Sequence, residues 1–163
     1  MSIETAIGVL ELAIQTEREG KRFYEEAARR TSDPDGQRLF ASLADDERMH
    51  ERILQEELER VRAGQPPEPV DPGRPAAPLF SYERLAENVR EHTTELSALR
   101  MGYLIERDAV AFYTHAAENA EDPTLKNLFE RLAHWEREHQ RILEEAYRFL
   151  AQQFEREMGF EPF

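Results

Sequence analysis

The sequence predicts an all-α protein: one four-helix bundle made of two repeated helix pairs joined by a long proline-rich crossover. Apolar residues recur three and four apart along most of the chain, with no alternating segments. Six of the nine prolines fall in residues 63–78, AGQPPEPVDPGRPAAP, a stretch no helix traverses because proline lacks the N–H and clashes with the preceding turn. Sliding the sequence by 89 residues lays 10–56 on 99–145 without a gap, and 20 of the 47 positions are identical. Unrelated helices would share about three or four, so the two halves are copies of one unit.

The elements follow in order. A first helix is expected over 2–31 and a second over 34–62, divided by Asp33-Pro34, where a capping side chain precedes a proline at the first helical position. Residues 63–92 form the crossover, in which Ser81 caps a short extra helix, SYERLAENVRE; Thr93 or Thr94 then restarts the chain. The third helix is expected over 93–120 and the fourth over 123–156, divided by Asp122-Pro123, the repeat mates of Asp33-Pro34. Residues 157–163 are left as an apolar tail that docks on the bundle or a partner, or serves as a peptide signal. The whole chain reads as a single domain, since 163 residues are too few for two of ordinary size.

Composition narrows the function classes. Acids outnumber bases 34 to 21, a formal charge of −13 that repels phosphate backbones and anionic lipid, so neither nucleic acid nor a membrane is an expected partner. No apolar run reaches bilayer length, and the first residues lack the basic flank of a signal peptide, so a cytoplasmic protein is expected. The absence of cysteine removes disulfides, thiolate catalysis and sulfur-ligated metals. Any metal must be held by histidine, carboxylate or water.

The seams that should face the bundle core are interrupted by polar residues at one level. The first helix runs Ile3, Ile7, Leu10, Ile14, Glu17, then Tyr24; the second Leu39, Leu43, Glu47, His50, Leu54. The third runs Leu99, Tyr103, Glu106, Val110, Tyr113, and the fourth Leu128, Leu132, Glu136, His139, Leu143. Four buried carboxylates cost several kcal/mol each unless protonated or matched by cations, and two divalent ions supply +4 against −4. Glu and His at i and i+3 share a helix face, so each ExxH aims a carboxylate and an imidazole at one point. Mixed oxygen and nitrogen ligation without sulfur suits iron or manganese, and zinc would also bind.

The segments IQTEREGKRFYEEAA and LIERDAVAFYTHAA, with LADDERMHERIL and LAHWEREHQRIL, resemble the glutamate and ExxH helices of the rubrerythrin family, within the ferritin-like di-iron carboxylate bundles. The resemblance covers nearly the whole chain outside the crossover and tail. It implies a ferritin-like bundle holding two iron ions, with Glu17, Glu47, His50, Glu106, Glu136 and His139 as ligands. It also makes Tyr24 and Tyr113 hydrogen-bond donors to ligand carboxylates; the alternative for both is core packing with the hydroxyl bonded elsewhere. Two departures stand out. There is no cysteine for the rubredoxin-type iron of full-length rubrerythrins, and the additional glutamate of peroxide-reducing members is replaced by Ala109, with Gly20 at its repeat mate.

Three functions remain open at this stage. The first is a non-haem di-iron oxidoreductase that reacts with hydrogen peroxide or dioxygen and takes electrons from an external donor protein. The second is a ferroxidase for iron storage or detoxification, and the third a non-catalytic, metal-stabilised helical interaction module. A homodimer is expected. His134 and Trp135 read as facing away from the ligand Glu136, the first on the surface and the second between helices, with screening of the site as the alternative for Trp135. Tyr103 reads as core, with a redox-active phenol as the alternative, and His92 and His115 as solvated.

Overall fold

The computed structural model describes residues 2–67 and 93–157. The described residues form four helices: α1 (Ile3–Arg30), α2 (Pro34–Arg62), α3 (Thr93–Asn119) and α4 (Pro123–Glu157). The short crossover helix and the tail beyond residue 157 lie outside them, as does His92.

Each turn is written in local chemistry. Ser2 caps α1 by accepting from the Thr5 amide at 3.3 Å. The Asp33 carboxylate accepts from the amides of Asp35 at 2.9 Å and Gly36 at 2.8 Å, with Pro34 in the first helical position. Asp122 does the same for α4, accepting from Thr124 at 2.8 Å and Leu125 at 3.1 Å. At its far end α2 closes through Gly64, at φ +66, whose amide bonds to the Val61 carbonyl while the Gln65 amide bonds to the Arg60 carbonyl. A side chain there would be strained, which is why glycine stands at that point.

Three-residue connections make α1 pair with α2, and α3 with α4, as antiparallel neighbours; the pairs meet along α1 and α3. Glu51 ties the first pair, accepting from Arg18 Nε and Lys21 Nζ at 2.5 Å each. Glu95, near the start of α3, accepts from the Ser32 amide at 3.1 Å and so pins the second pair to the first turn.

The buried apolar residues fall into two clusters. One holds Leu10, Ile14, Leu54, Tyr113, Phe129 and Leu132, and the other Tyr24, Phe40, Leu43, Leu99, Leu143 and Leu150. Between them lies the polar level. The repeat is visible in the packing: Tyr24 stacks on Phe40 at 6.3 Å, and their repeat mates Tyr113 and Phe129 stack at the same 6.3 Å. Gly102 sits where a Cβ would come within 3.2 Å of the Tyr24 ring and 3.3 Å of Leu143, so its lack of a side chain lets α3 approach both. Ile7 and Tyr103 in the seams are half-buried, and two other seam positions also depart from expectation. Ile3, the first residue of α1, is 67% exposed, and Val110 is only half-buried because its neighbour Ala109 takes the core-facing position.

Candidate metal centre

All six polar seam residues are buried and converge. Glu17, Glu47, His50 and Glu136 offer ligand atoms within 4.8 Å of one another, and so do Glu47, Glu106, Glu136 and His139. The two groups share Glu47 and Glu136. Each ExxH helix therefore contributes one carboxylate that reaches both positions and one imidazole that reaches one, while α1 and α3 each add a carboxylate to one position. All four helices are needed.

Both imidazoles turn Nδ1 inward. His50 Nδ1 lies 3.0 Å from Glu136, 3.3 Å from Glu17 and 3.4 Å from Glu47. His139 Nδ1 lies 3.0 Å from Glu136, 3.5 Å from Glu47 and 3.8 Å from Glu106. The tyrosines cross between the copies: Tyr24 donates to Glu106 and Tyr113 to Glu17. Each phenol thus holds the carboxylate of the other half.

The protein's own charges balance by proton sharing. Burial, reinforced by the Glu47 carboxylate, pushes Glu17 up to about 8. Burial, then the charges of Glu47 and Glu136, push Glu106 well above the usual carboxylate range. Burial and the Glu136 charge oppose ionisation of Glu47, yet contacts with Glu17, His139 and His50 hold it below that range. Burial likewise opposes ionisation of Glu136, which the positive charge of His50 and the contacts of both imidazoles hold down. Burial disfavours both imidazoliums. The nearby carboxylates overcome it, Glu136 first for His50 and Asp46 first for His139. Burial first, then carboxylate charge, raises both tyrosines well above 10. The shifts favour the neutral form of the α1 and α3 carboxyls and the charged form of the two ExxH carboxylates and imidazoles.

The donor set fits two divalent cations. His50 Nδ1 and Glu136 Oε1 are buried 3.0 Å apart, and neither has a hydrogen-bond partner. A ring nitrogen and a carboxylate oxygen buried side by side with no aligned hydrogen bond between them are groups that a metal ion satisfies once the imidazole gives up its proton.

Two further residues border the imidazoles, Trp135 and Asp46. Trp135 is buried between helices as expected, and its ring lies flat on His50, centroids 4.9 Å apart and planes 3° apart, so it is the screening alternative that holds. A position beside a ligand on its own helix looks outward until the facing helix is placed; here α2 brings His50 to it. Asp46 was not singled out at all, yet it lies 3.2 Å from His139 Nε2. The available signal was the repeat, because Asp46 and Trp135 are mates that differ inside an otherwise closely matched block. His134 and His115 are exposed, and Tyr103 is half-buried with the Arg100 guanidinium 5.5 Å above its ring.

Among the described residues no helix is long and apolar enough to cross a membrane. No curated protein and no solved structure gives a significant match to the chain. A family model described as Rubrerythrin matches residues 8–147, and a second match covers 97–160. The second begins 89 residues after the first (97 against 8), the offset of the internal repeat. With its four-helix bundle, its duplicated glutamate and ExxH helices and a match over most of its length, the chain belongs to the rubrerythrin family.

Proposed function

We propose that the protein is a di-iron oxidoreductase that reduces hydrogen peroxide or dioxygen and is re-reduced by an external electron donor. The carrying observation is the sharing of Glu47 and Glu136 between two four-residue ligand groups, which matches a pair of adjacent ions rather than one. Held by these residues, two ferrous ions would supply one electron each, enough to take peroxide and two protons to two waters.

The chain's own residues do the rest. Glu17, Glu106, His50 and His139 each serve one ion, and Glu47 and Glu136 span both. Tyr24 and Tyr113 fix the Glu106 and Glu17 carboxylates by donating to one oxygen of each, leaving the other free to bind. The leucine and phenylalanine layers on both sides keep bulk water out, which strengthens every charge interaction inside.

The test is to load the protein with ferrous ion under anaerobic conditions, add peroxide and follow the ferric absorption. Oxidation several-fold faster than that of free ferrous ion, lost in Glu47→Ala, is expected. Oxidation no faster than in solution overturns the proposal.

A further inference from the structure

The two halves of the centre are alike in almost every neighbour. Glutamate, histidine, ExxH spacing, crossing tyrosine and stacked phenylalanine are all duplicated. One pair of mates touching the imidazoles differs in kind. His139 Nε2 faces the Asp46 carboxylate at 3.2 Å, whereas the mate of Asp46 is Trp135, whose ring covers the mate of His139, His50, at 4.9 Å. Gly20 against Ala109, beside the same glutamates, changes a single methyl group.

That difference acts on the ligands. With Nδ1 turned to the centre as the donor atom, the imidazole proton sits on Nε2. A carboxylate accepting that proton fixes the tautomer and ring orientation and makes Nδ1 a stronger donor. An indole cannot play this part, since its only polar group is an N–H donor and its face presents no lone pair. It holds the His50 ring in place by stacking but adds no negative charge behind it.

We propose that the two metal positions are unequal: the one formed with Glu106 and His139, backed by Asp46, takes up a divalent ion before the one formed with Glu17 and His50 beneath Trp135. Asp46 is a positioning residue that acts through His139, and Trp135 in the equivalent place leaves the other position without such a carboxylate. The inference rests on the di-metal reading of the cluster and adds an order of filling to it.

Locating the first ion tests this. The metal-free full chain is titrated with Co²⁺ or Mn²⁺, followed by calorimetry and, for Mn²⁺, by electron paramagnetic resonance. Crystals grown with one equivalent are measured at the metal's absorption edge. Two resolved binding steps are expected, with a magnetically isolated Mn²⁺ at one equivalent, a coupled pair at two, and the first anomalous peak beside His139. Asp46→Asn, close in shape, and Asp46→Ala should weaken the first step about 10- to 100-fold and leave the second near its original value. Trp135→Phe, which keeps a flat apolar ring over His50, should preserve two steps. A first peak beside His50, equal peaks at one equivalent, or an Asp46→Asn variant that weakens both steps equally overturns the inference while leaving the di-metal reading intact. Failure of the cluster to bind any divalent ion removes both.

Discussion

At the scale of single residues, a metal entering the centre would have to displace protons. Burial favours the protonated form of Glu17 and Glu106, and the surrounding carboxylates favour the protonated form of His50 and His139. Loading two divalent ions should therefore release about four protons, one from each of these groups. Calorimetry in buffers of different ionisation enthalpy measures the number, and release below about two would contradict the assignment. The sign for stability follows from the same shifts. The Glu17 carboxyl ordinarily ionises at 4.5 and here at about 8, so the stability it gives the metal-free fold is full at acid pH and is lost as pH rises across that window. Both imidazoles act alike, their contribution full below 6.5 and lost as pH climbs toward their raised values. The melting midpoint of the metal-free protein should fall between about pH 6 and about pH 8, and a midpoint that rises would overturn this reading. Tyr24→Phe and Tyr113→Phe each remove the donor to the opposite carboxylate; a loss of about 10- to 100-fold in Co²⁺ affinity is expected, with little change in helix content by circular dichroism. Glu17, Glu47, His50 and their mates were legible because a charged side chain in an apolar seam stands out. The contacts of Trp135 and Asp46 were not, because each meets a histidine of the facing ExxH helix, and sequence periodicity places a residue only on its own helix.

Among elements, the turns carry the most explicit signals. Asp-Pro at 33–34 and at 122–123 places a carboxylate over the first free amides and a preset φ in the first turn. Helix starts at Pro34 and Pro123 were therefore readable to the residue. Asp33→Ala should cost about 1 kcal/mol, a fall of about 2–4 °C in melting midpoint for a chain of this size. Asp122→Ala should do the same at the other hairpin, and scanning calorimetry checks both. What the sequence did not display is how helices are tied to each other, within a hairpin and between the two. Glu95 accepting from the Ser32 amide, and Glu51 between Arg18 and Lys21, are contacts between residues 30 or more apart, and nothing in a charged helix distinguishes such a carboxylate from a solvated one. Ile3 shows the converse error: it has the right spacing for the seam but stands in the first turn of α1, largely open to solvent.

For the molecule as a whole, the centre lies between two apolar clusters and draws on every helix, so metal and fold are linked. A divalent ion at about 100 times its dissociation constant stabilises the native state by about 2.7 kcal/mol, a rise of about 5–10 °C at this chain length. The rise should vanish in a Glu47→Ala, Glu136→Ala double variant, which loses both shared ligands; thermal melts with and without Mn²⁺ measure it, and a rise that persists would show that the ions bind elsewhere. The architecture was readable early because the 89-residue repeat fixed two equivalent hairpins. Its reciprocity was not, since only the folded chain shows each tyrosine serving the opposite half. That crossing bears on ancestry. One hairpin carries a glutamate, an ExxH and a tyrosine whose target it lacks on the right side, so a primitive gene encoding one hairpin would have worked only as a self-associated pair. Tandem fusion of two such genes would make the association permanent and let each copy vary alone, a freedom that the difference between Asp46 and Trp135 requires.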